Sequence, residues 1–205
     1  MFNFQVGWSY SAYTPYQSEV SQGTLIAIFE FQTMISELTG LPVANASLYD
    51  GGSAAGEAAL LAMAVTGRKR IVVSGRFHPH YIEVVKTYVE RSGGKVVAVA
   101  SPSHVTDPDG LAAAVDNDTA CVFVQNPNFF GFIEPVRRIQ EVAAAAGALL
   151  IAAVDPLTLG ILAPPGDYGA DIAIGEAQPL GIPMSFGGPV AGFFAADMKY
   201  LRVMP

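Results

Sequence analysis

From residue 70 onward the chain alternates between two hydrophobic rhythms. Short, nearly unbroken apolar runs, RIVVS (70–74), KVVAVA (95–100), TACVFV (119–124), ALLIAAV (148–154) and DIAIGEA (171–177), are separated by stretches of helical spacing over 80–92, 107–116 and 134–146. A strand with one wet face alternates polar and apolar positions, whereas a strand covered on both faces does not. The runs therefore predict an α/β fold: a mostly parallel sheet flanked by helices on both sides.

Upstream, residues 21–39 put Leu25, Ile28, Phe29, Ile35 and Leu38 on one helical stripe that stops at Gly40, with Pro42 beyond. Glycine just past the last turn and proline after it are ordinary C-terminal signals, and the stripe predicts a helix packed on the core or on a partner. A second helix is predicted over 53–66, ending at Gly67 and entered through DGGSAAGEA (50–58). A glycine turn opening an alanine-rich helix leaves backbone N–H groups free beside the positive end of the helix dipole, a cradle for phosphate. The same residues also spell a plain helix start, with Ser53 as N-cap and the glycines as turn formers. Local sequence leaves both readings open. After DIAIGEA, the stretch GGPVAGFFAADMKYLRVMP (187–205) predicts a strand and a helix of barely two turns.

The first sixteen residues are uncharged and carry Phe2, Phe4, Trp8, Tyr10, Tyr13 and Tyr16. Aromatics in that number need cover, which predicts a missing neighbour and a fragment or obligate subunit. The expected division is an N-terminal segment and interface helix over 1–40 and a sheet domain over 41–205.

Composition narrows the function. Of 205 residues 51% are hydrophobic, enough for a sizeable core, and the formal net charge is −7. No basic cluster exceeds Arg68-Lys69-Arg70, which disfavours nucleic acid as a partner. The longest charge-free apolar stretch, Val142 to Val154, is thirteen residues and then meets Asp155; a membrane-spanning helix needs roughly 20. The N-terminus lacks the basic start and apolar core of a secretory signal, so no membrane and a cytoplasmic location are expected. Cys121 stands alone in TACVFV, which excludes a disulfide framework and a cysteine metal cluster and predicts a packed strand residue.

Candidate chemistry gathers where an open parallel sheet binds ligands, beyond the carboxyl ends of its strands. The glycine turn at 50–54, the GRFHPHY segment (75–81) with His78 and His80, and Asp155 after LLIAAV all fall there. Each has a plain alternative: a histidine beside proline is commonly a solvated turn residue, and Asp155-Pro156 starts turns. Together a phosphate cradle, a flat imidazole and a carboxylate ending a buried strand are the parts that grip pyridoxal phosphate, the carboxylate pairing with the pyridinium nitrogen and the imidazole stacking on the ring. The covalent chemistry also needs a lysine at the end of the next strand. The chain has four lysines, Lys69, Lys86, Lys95 and Lys199, and the expected loop reads Glu176-Ala177-Gln178-Pro179-Leu180. No amine is available there to form an imine.

The segment YTPYQSEVSQGTLIAIFEFQTMISELTGLPVANASLYDGG (13–52), with VFVQNPNFFGFIE (122–134), SFGGPVAGFFA (185–195) and the terminal KYLRVMP, resembles the glycine cleavage system P-protein, glycine dehydrogenase (decarboxylating). The lysine-free loop at 176–183 is similar to that of subunit 1 of the two-subunit form. The resemblance implies the large domain of a pyridoxal-phosphate-dependent transferase of fold type I, the aminotransferase fold. It implies an oxidoreductase of glycine catabolism in which subunit 2 holds the imine lysine and the pyridoxal phosphate. Together the subunits, as a heterodimer or heterotetramer, decarboxylate glycine and pass the aminomethyl group to the lipoyl arm of H-protein. Carried over by position, Gly52, Ser53 and Ala54 fall on the phosphate loop, His78 on the ring-stacking position, Asp155 on the pyridinium partner, and Pro179 where the lysine would stand. These are expected to be remnants of a cofactor site, with no catalytic residue and no metal on this chain. Thr14-Pro15-Tyr16-Gln17 and Ser21-Gln22-Gly23 belong to the family's most recognisable segment, and their polar members are expected to face the partner's site. Family members are longer, with a helical region before YTPY and a small C-terminal domain, so the chain is expected to be truncated at both ends. Two alternatives remain: a self-sufficient pyridoxal-phosphate aminotransferase or lyase, which requires the absent lysine, and a cofactor-free interaction domain.

Overall fold

The computed structural model describes residues 22–205. The aromatic N-terminal segment, Thr14 to Gln17 and Ser21 lie outside the described residues. In chain order the elements are α1 (Gln22–Thr39), β1 (Val43–Ala44), α2 (Gly51–Thr66), β2 (Arg70–Ser74), α3 (Pro79–Glu90), β3 (Lys95–Val99), α4 (Pro108–Ala114), β4 (Thr119–Gln125), α5 (Val136–Ala145), β5 (Leu149–Ala153), β6 (Ile172–Glu176) and β7 (Gly192–Ala196). The strands form one sheet in the order β1-β7-β6-β5-β4-β2-β3. Pairings from β3 through β6 are parallel, while β7 runs antiparallel to both β6 and β1.

Successive strand residues point to opposite faces, and here both faces are covered. Ile71, Val73, Cys121, Phe123, Ile151, Ile172, Ile174 and Phe194 pack on one side against α2 and α3. Val72, Val122, Val124, Leu150, Ala173 and Phe193 pack on the other against Ile35 of α1, Leu111 of α4 and Ile139 of α5. This is the physical reason the strands read as unbroken apolar runs. Cys121 is fully buried, and burial pushes its thiol pKa up, leaving it an inert core residue.

The alanines of α2 let it lie close to the sheet: Ala54, Ala55, Ala58, Ala59 and Ala62 have no exposed surface. Its neighbour α3 comes as near, because a Cβ at Gly56 would sit 2.6 Å from the Tyr88 ring. Two elements differ from the sequence expectation. Helix α2 begins at Gly51 rather than Ser53, and β7 is followed by one 3₁₀ turn, Met198–Tyr200, rather than a helix of nearly two turns. The 3₁₀ turn ends where Tyr200 is buried, with its hydroxyl 3.1 Å from Asp171 Oδ1. Among the described residues no helix is long and apolar enough to cross a membrane, and no group of His, Cys, Asp or Glu is poised for a metal ion.

Candidate functional site

The strand order doubles back between β2 and β4, since β3 lies outside β2 and the chain then returns across it. At such a switch point the loops leave in opposite directions and open a crevice at the carboxyl edge. Here the loop after β2 brings His78 to the end of β4. The His78 backbone N–H donates to Gln125 Oε1 at 2.8 Å, and its Nδ1 accepts the His80 N–H at 3.2 Å, capping α3. The imidazole stacks on Tyr81 with centroids 4.7 Å apart and planes at 27°. Phe129 meets it edge-on at 4.9 Å. Burial, then the neighbouring His80 charge, hold the His78 pKa below its ordinary value.

His78, Tyr81, Gln125, Asp155, Glu176 and Pro179 line a cavity of about 130 Å³. The structure thus brings together two of the sequence-predicted residues, His78 and Asp155, with Pro179 at the wall. Asp155 is exposed, and its Oδ1 accepts the Leu157 N–H at 2.9 Å, so it also starts a turn. His80 is exposed and off the cavity wall.

Gly52, Ser53 and Ala54 do not line the cavity; they are buried in the first turn of α2, with Gly52 beside Tyr81 and Val84. The N-cap of α2 is Asp50, not Ser53. Asp50 Oδ1 accepts the Ser53 N–H at 2.6 Å, and Ser53 Oγ accepts the Asp50 N–H at 3.1 Å, a reciprocal capping box. The cap moved because an aspartate three residues earlier offers the same oxygen and leaves the hydroxyl for the return bond. The glycines are not turn formers either. They are first-turn helical residues, and Gly51 must lack a side chain, because a Cβ there would run into the Tyr81 hydroxyl.

Glu176, the last residue of β6, is the polar centre of this region. Its Oε2 accepts the Gly51 N–H at 3.1 Å, and its Oε1 accepts the N–H groups of Gln178 at 3.1 Å and Ala191 at 2.7 Å. Burial, followed by the Glu176 and Asp50 charges, pushes the Tyr81 pKa up to about 12. Tyr81, Gln125 and Glu176 were not assigned roles by sequence reasoning; the one available signal was Glu176 standing in the loop where a lysine was sought.

Pyridoxal phosphate does not fit the site these residues make. The cavity is well under the roughly 300–1,000 Å³ usual for small-molecule sites. Tyr81 already covers a face of the His78 ring. The lysines lie elsewhere: Lys69 and Lys95 at the amino edge of the sheet, Lys86 paired with Glu83 on α3, and Lys199 paired with Asp171 at 2.9 Å.

Comparison with known proteins places these features in context. Residues 4–205 match the family model described as "Glycine cleavage system P-protein". The sequence is 54% identical over 196 residues to the probable glycine dehydrogenase (decarboxylating) subunit 1 of Anoxybacillus flavithermus, and 53% identical to that of Bacillus subtilis strain 168. Each match covers 96% of this chain and 44% of the relative, so the chain spans less than half the length of these curated relatives. A crystal structure of glycine decarboxylase (P-protein) in inhibitor-bound form superposes with a TM-score of 0.89 at 49% identity, over 95% of this chain and 44% of that one. A NifS-like protein superposes at 0.68 with 18% identity, over 85% of this chain and 48% of its own, a likeness of fold alone. The architecture is that of the fold type I pyridoxal-phosphate-dependent transferases.

Proposed function

The chain belongs to the glycine cleavage system P-protein family, and from that membership we propose that it is part of subunit 1 of a two-subunit glycine dehydrogenase (decarboxylating). The observation that carries the reading is its 54% identity, over 96% of its length, to proteins named as that subunit. In the assembly, subunit 1 and subunit 2 decarboxylate glycine and deliver the aminomethyl group to the lipoyl arm of H-protein. Subunit 2 holds the pyridoxal phosphate. This chain is a non-catalytic component that works in the cytoplasm.

The chain's own residues support a role in binding rather than turnover. With no amine in the loop at 176–183, no covalent step runs through its cavity. Gly52, Ser53, Ala54, His78 and Asp155 are remnants of a cofactor site; Gly52, Ser53 and Ala54 now lie buried in the first turn of α2, His78 caps α3, and Asp155 starts a turn. Residues 41–205 form the large domain, and helix α1 faces the partner. Supporting that last assignment, Ile26, Phe29 and Met34 of α1 are exposed, and an apolar groove of about 550 Å³ runs between α1 and the loop 177–191. Apolar surface of this kind is what an obligate subunit interface covers. A self-sufficient aminotransferase or lyase is disfavoured by the same missing amine.

The test is co-purification followed by borohydride reduction. The natural polypeptide carrying this sequence is expected to co-purify with subunit 2, and reduction in the presence of pyridoxal phosphate is expected to label subunit 2 alone. Stoichiometric label on Lys69, Lys86, Lys95 or Lys199, or failure of the two polypeptides to associate, would overturn the proposal.

A further inference from the structure

The first turn of α2 has the backbone of an anion site, with buried N–H groups at the positive end of a sixteen-residue helix. Three of its N–H groups nevertheless already have acceptors within the chain. The Gly51 N–H goes to Glu176 Oε2 at 3.1 Å, the Ser53 N–H to Asp50 Oδ1 at 2.6 Å, and the Ala54 N–H to the Asp50 carbonyl at 3.0 Å. Gly52 is buried between Asp50, Val84 and Tyr81. Two of the acceptors differ in kind. Asp50 is a local cap of the sort most helices carry, three residues from its donor. Glu176 arrives from 125 residues away at the end of β6, and nothing in helix capping requires it.

We infer that Glu176 is the built-in occupant of this cradle: its carboxylate stands where the anionic group of a phosphate ester would bind and closes the turn to such ligands. A carboxylate that accepts three backbone N–H groups, from Gly51, Gln178 and Ala191, is bound as a ligand anion would be, except that it is tethered to the chain. It also joins three segments. One oxygen holds the start of α2, and the other holds both ends of the loop 177–191, whose base is closed further by the Ala177 N–H donating to the Ala191 carbonyl at 2.7 Å. The charge balance acts in the same direction. An incoming phosphate would meet the carboxylates of Asp50 and Glu176, with no lysine or arginine on the cavity wall to offset them. The inference deepens the reading of the residues at 52–54 as remnants, yet stands on the geometry of this chain alone, whichever partner it joins.

The test uses the natural polypeptide without subunit 2 and inorganic phosphate as probe, at matched ionic strength, so it is independent of glycine turnover. Wild type is expected to show no saturable phosphate binding and no phosphate-dependent rise in Tm. Glu176→Ala, which vacates the turn, is expected to gain saturable binding at least tenfold tighter than wild type, with phosphate-dependent amide shifts at Gly51. Should Glu176→Ala fail to fold, Glu176→Ser, whose short side chain also vacates the turn, carries the same expectation. Saturable phosphate binding at Gly51 in wild type, or a folded variant that gains none, would overturn the inference.

Discussion

A methyl group added at Gly51 would run into the Tyr81 hydroxyl and lie 2.9 Å from the ring carbon that bears it. Alanine is favoured over glycine in a helix by up to about 1 kcal/mol, but overpacking typically costs about 1–3 kcal/mol, so sterics win. Gly51→Ala is expected to destabilise the polypeptide in urea titration, and Tyr81→Phe in the same background to recover part of the loss. A stabilised Gly51→Ala would show that Tyr81 does not cover the turn. The two rings respond to opposite ends of the pH range. Tyr81 titrates near 10 when unfolded and at about 12 when folded, so its stabilisation is complete below pH 10 and is lost as pH rises towards 12. His78 is shifted down, so its stabilisation is present above its unfolded value near 6.5 and is lost as pH falls below it. Stability profiles of Tyr81→Phe and His78→Gln should therefore flatten on the alkaline and acid limbs respectively. His78 and Asp155 were legible because both follow buried strand runs. Gln125 and Glu176 were not, because each acts on a backbone N–H far away in the chain, 47 residues distant for Gln125 and 125 for Glu176.

Among the elements, the central strands could be placed from sequence within one residue, since burial on both faces leaves an unbroken signal. The two-residue β1 has no periodicity to detect, and the antiparallel direction of β7 is set by its pairing with β6 and β1, which the sequence pattern does not encode. The start of α2 was misplaced because Asp50 and Ser53 are both good caps and only the fold shows that they cap each other. Ser53→Ala removes that reciprocity and is expected to cost about 1 kcal/mol of stability. Its effect on the glycine–bicarbonate exchange of the assembly is expected to stay under about tenfold, or 1.4 kcal/mol of barrier; a larger loss would show that the turn still serves the reaction. Helix α1 is held to the sheet by few residues, with only Ile35 and Thr39 buried. Ile35→Ala is expected to cost about 2–5 kcal/mol. Phe29→Ser, at a side chain 71% exposed, is expected to leave stability within about 0.5 kcal/mol while weakening co-purification with subunit 2. Unchanged association would remove α1 from the proposed interface.

For the molecule as a whole, the distribution of lysines separates fold from chemistry. The sheet and its switch point are those of the fold type I transferases, yet the carboxyl edge carries carboxylates and aromatic rings, while Lys69, Lys95 and Lys199 lie at the opposite edge. For Lys69 and Lys95 that contrast was readable from the sequence once the strands were placed, because they stand at the starts of β2 and β3; for Lys199 it was not, because it follows β7, whose antiparallel direction only the fold shows. The closing of the turn by Glu176 was not readable, because it depends on a contact between residues 125 apart in the chain. Glycine–bicarbonate exchange, measured with added pyridoxal phosphate on the natural polypeptide alone, on subunit 2 alone and on the two combined, decides where turnover occurs. Exchange is expected only when both are present, and exchange by this polypeptide alone would contradict its assignment as the non-catalytic subunit.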